Sequence, residues 1–330
     1  MNPHVPRSPS AVVADIGGTN ARFGWLSGPG ERVAHVHTLP VPAFAGLPQA
    51  VQAYLDRVSA ALGAAYQRPS QAAFAVATAV TEDLVDLTNS HWSFSRAAVQ
   101  AELGLDSLIV LNDFEALALA LPRLTPAQFR SHGPLPSAQG CMAVIGPGTG
   151  LGVGGVIPTA HGWIALPGEG GHATLAVGDE FEAALLARVR KTYPHVSAER
   201  LLSGIGLPVL CAAVAGELGA PAETLTTETV VDRGLAGSDP VCSRTLDVFC
   251  SMLGGFAGNV ALTLGARGGV FIGGGIVPRL GDRFFASDFR ERFEAKGRFR
   301  SYLETIPTAL ITDTLAALTG AALAVEQQEA

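Results

Sequence analysis

From residue 11 the chain reads AVVADIGGTNARFGWL: an apolar run, a turn containing two glycines, then Ala21, Phe23 and Trp25 alternating with polar or small residues. A period of two sends successive side chains to opposite faces of a sheet, so the pattern predicts strand, tight turn, strand. Residues 47–62 carry apolar side chains at helical spacing, residues 72–80 form a continuous apolar run with β-branched members, and residues 108–111 form a shorter one. Strands and helices therefore alternate through the first third of the chain.

After Leu121-Pro122 a loop-like stretch runs to Gln139, with prolines at 126, 134 and 136. It is the sharpest break in composition along the chain and predicts a domain boundary. Beyond it, CMAVIGPGTGLGVGGVIP reads as strand and glycine turn, residues 179–193 as helix, and GGVFIGGGIVPRL as a strand running into glycines. The Ala- and Leu-rich stretch 314–327 predicts a helix that packs back onto the first domain. The uncharged, largely apolar stretch 250–266 is broken by glycines and Asn259 and falls short of the roughly 20 apolar residues that span a bilayer, so it reads as a buried helix.

The chain has 330 residues, 48% hydrophobic and 15% charged, which allows a large buried core and favours two α/β domains. The 22 basic residues are scattered under a formal charge of −7, so no footprint for a phosphate backbone is present and no nucleic-acid partner is expected. Four cysteines without CxxC pairs fit a reducing compartment. The first ten residues are polar and proline-rich and lack the apolar core of a signal peptide, so a cytoplasmic protein with no membrane partner is expected.

Chemistry concentrates in a few short segments. In Asp15-Ile16-Gly17-Gly18-Thr19-Asn20 the glycines allow backbone N–H groups to converge on an anion, and an Asp at a strand end can orient a metal-bound water. Taken alone, the segment reads better as an ordinary glycine-rich hairpin turn. A second glycine loop, with Gly148, Thr149 and Gly150, follows another apolar run, and two phosphate-type loops in separate domains point to a nucleotide clamped between them. Residues 150–155 match GxGxxG, but strand-like sequence follows where a dinucleotide site needs a helix. A Walker A loop is excluded because the only lysines, Lys191 and Lys296, lie outside such a context.

Asn112-Asp113 ends the run at 108–111, where an amide can fix a sugar hydroxyl and a carboxylate can accept its proton. The alternative is that Asp113 caps a helix over 114–120. Glu169 and His172 beside two glycines suit adjacent hydroxyls of a polyol, whereas zinc would need a third ligand that is not in view. Read without context, His172 is a turn histidine and Glu199 a solvated helix residue. Gly273, Gly274 and Gly275 allow a flat ring such as adenine to lie on backbone, or form a plain strand-to-helix loop.

Together, DIGGTNARF, TNSHWSFS, LNDFEALALALP, GPGTGLG, LPGEGGH, ERLLSGIG and GGVFIGGGIVPR resemble the bacterial glucokinase family in order and spacing, from about residue 12 to the C-terminus, and KGRF at 296–299 is similar too. The resemblance implies an α/β, two-domain actin-like (ribonuclease-H-like) ATPase fold with the active site in the interdomain cleft. It implies a small domain of residues 1–122 completed by the C-terminal helix at about 314–330, and a large domain of 123–313. It further implies ATP-dependent phosphorylation of glucose to glucose 6-phosphate, the first step of glucose use in glycolysis, by a homodimer using Mg²⁺. By the same resemblance Asn112, Asp113, Glu169, His172 and Glu199 take glucose-binding positions with Asp113 as base. Asp15, Gly17, Gly18, Thr19 and Asn20 then match the first phosphate motif, Gly148, Thr149 and Gly150 the second, and Gly273, Gly274 and Gly275 the adenosine loop.

Three departures stand out. Relatives carry proline at Ala79 and glycine at Glu82, which lacks glycine's freedom at positive φ, so hexose selectivity is open. Pro147 replaces a small flexible residue and is expected to stiffen the second phosphate loop. The cysteine-rich motif of the wider repressor and sugar-kinase group does not follow His172, so no structural zinc is expected. A kinase for fructose, mannose or an acetylated amino sugar is the nearest alternative. A sugar-responsive regulator needs an added N-terminal domain, for which Asp15 comes too early. A silent sugar sensor should lack the base or a phosphate loop, and both are present. Polyphosphate and ADP stand open as donors, the adenosine-type loop favouring ATP.

Overall fold

A computed structural model describes residues 10–87, 89–221 and 223–328. Most of the polar N-terminal stretch, Thr88 of TNSHWSFS and the last two residues of the expected C-terminal segment lie outside the described residues. The chain opens with β1 (Ala11–Ile16), β2 (Asn20–Leu26), β3 (Ala34–Pro40), α1 (Leu47–Leu62) and β4 (Gln71–Val76). A short hairpin, β5 (Leu84–Asp86) and β6 (Ser93–Ser95), leads through α2 (Arg96–Leu103) and β7 (Ser107–Asn112) to α3 (Asp113–Ala120). Next come β8 (Phe129–His132), β9 (Met142–Pro147), β10 (Leu151–Thr159), β11 (Gly162–Leu166), α4 (Glu180–Val189), α5 (Leu207–Glu217), α6 (Thr227–Ala236) and α7 (Pro240–Leu264). The chain ends with β12 (Gly269–Ile272), α8 (Ile276–Leu280), α9 (Asp282–Ala286), α10 (Phe289–Glu294), α11 (Arg300–Glu304), β13 (Thr308–Ile311) and α12 (Ala316–Gln328).

Two compact units result, one of residues 1–123, 159–167 and 314–330, the other of 124–158 and 168–313. Residues 159–167, which sequence reading counts with the large domain, fall in the first unit. The physical reason is that β11 lies against α3, and the Trp163 backbone pairs with the Gln327 amide, its N–H donating to Gln327 Oε1 at 2.6 Å and its carbonyl accepting from Gln327 Nε2 at 2.9 Å.

In the first unit the sheet order is β3-β2-β1-β4-β7, with β1, β4 and β7 parallel and β2 antiparallel to β1. Val12, Ala14 and Ile16 pack with Tyr54 of α1 and Phe74, while Ala11 and Val13 face Leu318, Ala321 and Val325 of α12. A central strand covered on both faces needs apolar side chains along its buried length, which is why Ala11 to Ala14 read as an unbroken apolar run and the one carboxylate, Asp15, comes only near the strand's end. The register places Ile16 beside Val76 and Val76 beside Asn112, so three parallel strands end in one row. The apolar run at 72–80 stops being strand at Val76 because the Thr78 N–H turns back onto the Val76 carbonyl at 2.8 Å.

In the second unit the order runs β10-β9-β12-β13-β8, and β9, β12 and β13 are parallel with Ile145, Ile272 and Leu310 in one row. β8 lies within the stretch read as loop. Its FRSH sequence has no apolar periodicity and becomes a strand by pairing antiparallel with β13. Helix α7 begins ten residues before the expected 250, because Asp239 caps it and Pro240 fits its first turn. By length and composition it passes as a membrane span, yet 72% of its most apolar window is buried in this unit's core, among Leu185, Leu210 and Phe293.

Candidate active site

In open α/β sheets ligands bind beyond the carboxyl ends of the strands. In the first unit that row of ends delivers the turn 17–19 after β1, the loop 77–83 after β4, and Asn112-Asp113 at the junction of β7 and α3. Asn112, not Asp113, is the helix cap: its Oδ1 accepts the Phe114 N–H at 2.9 Å, while its Nδ2 donates to the Thr78 carbonyl at 3.1 Å. Asp113 opens the first turn and its Oδ1 also accepts the Phe114 N–H at 2.9 Å. The far end of the 77–83 loop is fastened by Asp83, which accepts the Ser95 hydroxyl at 2.5 Å and the Ala97 N–H at 2.9 Å. Those bonds, the Ser95 one foremost, hold the Asp83 carboxyl below the usual carboxylate range.

Glu82 is no backbone outlier. Among described residues the one non-glycine with positive φ is His35, so the expected cost of lacking glycine's freedom does not arise at Glu82.

Asp15 sits near the end of β1, opposite Arg22 of β2, whose Nη1 is 3.7 Å from its Oδ2. Burial pushes the Asp15 carboxyl up from the usual range, and Arg22 opposes this in part. Gly17, Gly18 and Thr19 form the turn, in which the Gly17 N–H donates to the Asn20 carbonyl at 2.9 Å; Asn20, exposed, starts β2. Glu115, also in the first turn of α3, is raised by burial.

The second unit gathers its own set. Glu169 is exposed and precedes a short turn, Gly170–His172, in which the His172 N–H donates to the Glu169 carbonyl at 3.0 Å. Glu199 is half-buried, not a solvated helix residue. Its Oε2 accepts the Leu151 N–H at 2.9 Å, its Oε1 lies 3.8 Å from His172 Nδ1, and its own N–H donates to the Gly171 carbonyl at 2.9 Å. One carboxylate thus touches the second glycine loop and the Gly170–His172 turn together.

The second loop joins β9 to β10. The Gly148 N–H donates to the Gly150 carbonyl at 2.9 Å, so that donor is used inside the turn, and Pro147 remains part of β9, paired with Leu151. Across from it, the Gly273 N–H donates to the Ile145 carbonyl at 2.8 Å, and Gly274, at φ 74°, packs against the Pro147 carbonyl. Gly275 has open space on its Cβ side and, with Gly148 and Thr149, lines a cleft of 530 Å³ completed by Gly204, Ile205, Thr227 and Ile276. Of the three consecutive glycines, the first two therefore serve backbone packing and the third faces the cleft. Sequence reasoning missed Gly204, Ile205 and Thr227; the cap pattern at Thr226 marks a helix start and carries no hint of a ligand.

A family model described as Glucokinase matches residues 12–328. The glucokinase of Aromatoleum aromaticum is 49% identical over 316 residues, covering 96% of this chain and 94% of that one. A solved glucokinase from an Antarctic psychrotroph is 37% identical with a TM-score of 0.88, covering 96% of this chain and 98% of that one. A ROK family glucokinase from Streptomyces griseus, solved in complex with glucose and AMPPNP, has the same fold at a TM-score of 0.59 and 19% identity, covering 97% of this chain and 99% of that one. The α/β architecture is thus the actin-like ATPase fold that the motifs imply, and the chain belongs to the glucokinase family.

Proposed function

We propose that this chain phosphorylates glucose at the 6-hydroxyl with ATP, and that Asp113 is the general base. The observation that carries the reading is Glu199, which meets the glycine loop bordering the cleft and the Gly170–His172 turn with one carboxylate. Relatives that bear the name glucokinase at up to 49% identity support the substrate pair.

Phosphoryl transfer asks the protein chiefly to align a hydroxyl with the γ-phosphorus and to stabilise charge. Asn112, Glu169, His172 and Glu199 hold the hexose by its hydroxyls, and ATP lies along the loops with Gly148, Thr149 and Gly150 and with Gly273, Gly274 and Gly275. Asp113 accepts the 6-hydroxyl proton as that oxygen bonds to the γ-phosphorus, the bond from the γ-phosphorus to the bridging oxygen breaks, and ADP leaves. Gly17, Gly18, Thr19 and Asn20 form the first phosphate turn. Asp15 is half-buried with its pKa raised, and such a carboxyl gains from a nearby cation, so Asp15 would help to hold Mg²⁺. When bound, that ion offsets charge on the phosphates. The two units are read as the small and large domains of a cytoplasmic homodimer without nucleic-acid or membrane partners.

A coupled assay with Mg-ATP against glucose, mannose, fructose and N-acetylated hexosamines tests the reading. Glucose should be preferred, and Asp113→Ala should lower kcat by about 10²–10⁴-fold with glucose still bound. Near-normal turnover in the variant would refute the base, and turnover of another hexose would move the substrate assignment.

A further inference from the structure

Residues 199–206 form a closed turn whose two ends are fastened to different parts of the second unit. At one end Glu199 accepts the Leu151 N–H at 2.9 Å and stands 3.8 Å from His172. At the other end the Gly204 N–H donates to the Gly148 carbonyl at 2.7 Å and the Ile205 N–H to the Thr149 carbonyl at 3.3 Å, while the Thr227 hydroxyl donates to the Gly204 carbonyl. Between the ends lies Ser203, fully buried at 0% exposure. Its Oγ donates to the Glu199 carbonyl at 2.7 Å and accepts the Gly206 N–H at 3.1 Å, so the hydroxyl is fixed in one orientation. Leu201 and Leu202, both at 0% exposure, anchor the same turn in the core.

We infer that Ser203 is a positioning residue that couples the sugar and nucleotide halves of the site, because it locks the Glu199 backbone to the turn that holds Gly148 and Thr149. The inference rests on the function proposed above. A nucleotide that orders Gly148 and Thr149 orders Gly204 and Ile205 with them, and through the Ser203 hydroxyl sets the backbone from which the Glu199 carboxylate reaches its partners. Ordering already done by the first ligand is not repeated by the second, so each tightens the other. Coupling of this kind is reciprocal and commonly amounts to about 5- to 150-fold in affinity.

The test is calorimetric titration of glucose with and without saturating ADP, which reads binding without turnover. Wild type should bind glucose more tightly with ADP by a factor in that range, and Ser203→Ala should bring the ratio close to unity. Thr245→Val is the matched control, since Thr245 is also at 0% exposure and its hydroxyl donates to the Val241 carbonyl at 2.7 Å within α7. It should keep the wild-type ratio. An unchanged ratio in Ser203→Ala, or an equal loss in Thr245→Val, overturns the inference while leaving the proposed function standing. Wild type that binds neither ligand overturns both. If Ser203→Ala does not fold, hydrogen exchange on wild type decides: glucose alone should slow the Gly204 and Ile205 amides, and no slowing overturns the coupling.

Discussion

Gly150 lies so close to the Glu199 carboxylate that a methyl group on its Cα would stand 2.5 Å from Oε2. Glu199 can relieve that overlap only by rotating away from the Leu151 N–H. A hydrogen bond to a charged group contributes about 1.5–3 kcal/mol. Gly150→Ala is therefore expected to raise the KM for glucose by about 10- to 100-fold, with a small change in Tm. Steady-state kinetics with both substrates varied checks this, and an unaltered glucose KM would show that the Leu151 bond does not set the carboxylate's place.

Gly274 has less room to adapt, because its obstacle is backbone. At φ 74° an L side chain is strained by about 1–2 kcal/mol, and its Cβ would run into the Pro147 carbonyl. Gly274→Ala is expected to push the two glycine loops apart, raising the KM for ATP at least about tenfold and lowering Tm. Glucose binding in the absence of nucleotide should survive. A variant with wild-type ATP affinity and Tm would mean that the loops tolerate separation.

Asn112 does two jobs that one substitution separates. Asn112→Asp keeps an oxygen to cap Phe114 and adds negative charge at a helix N-terminus, a stabilising change of about 0.3–1 kcal/mol. It also replaces the donor to the Thr78 carbonyl with an acceptor. The expected result is a near-normal Tm, faster hydrogen exchange across 77–83, and a kcat/KM for glucose lower by about 10- to 100-fold. Unchanged exchange in that loop would show that Asp83 alone holds it.

The legible parts of the fold are those where one element carries its own signal. Residues 47–62 announce α1 to the residue, and the β1 turn β2 pattern is visible because Ala21, Phe23 and Trp25 alternate. β8 is invisible because FRSH owes its conformation to β13, far along the chain. In the candidate site, Glu199 stands out only as part of ERLLSGIG, and its bond to Leu151 joins residues that nothing local links. Ser203 and Thr227 escape for the same reason, since each is a hydroxyl spent on a carbonyl set by tertiary packing. Glu82 errs the other way: a departure that reads as strained proves to have ordinary backbone.

His132, at the end of β8, bears on acid stability. Its ring lies among Phe284, Phe285 and Phe289 at centroid distances of 6.0, 5.4 and 6.1 Å, and its Nδ1 is buried without a hydrogen-bond partner among the described residues. Burial, then the Arg290 guanidinium, holds its pKa below the usual value, with Arg130 acting the same way and Glu294 against. The unfolded chain therefore takes up a proton near the ordinary histidine pKa of about 6.5 that the folded chain refuses until lower pH. Stability on this account is full above that pH and declines as pH falls from it toward the folded pKa. His132→Phe removes the titration, matches the aromatic surroundings and eliminates a buried unpaired nitrogen, an orphan that costs about 1–3 kcal/mol. The variant should show a flatter dependence of Tm on pH below about 6.5 and a Tm at neutral pH no lower than wild type. Calorimetry across that range checks both; equal slopes in the two proteins would place the acid sensitivity elsewhere, and a lower neutral Tm would mean that the ring nitrogens serve a packing role that phenylalanine cannot fill.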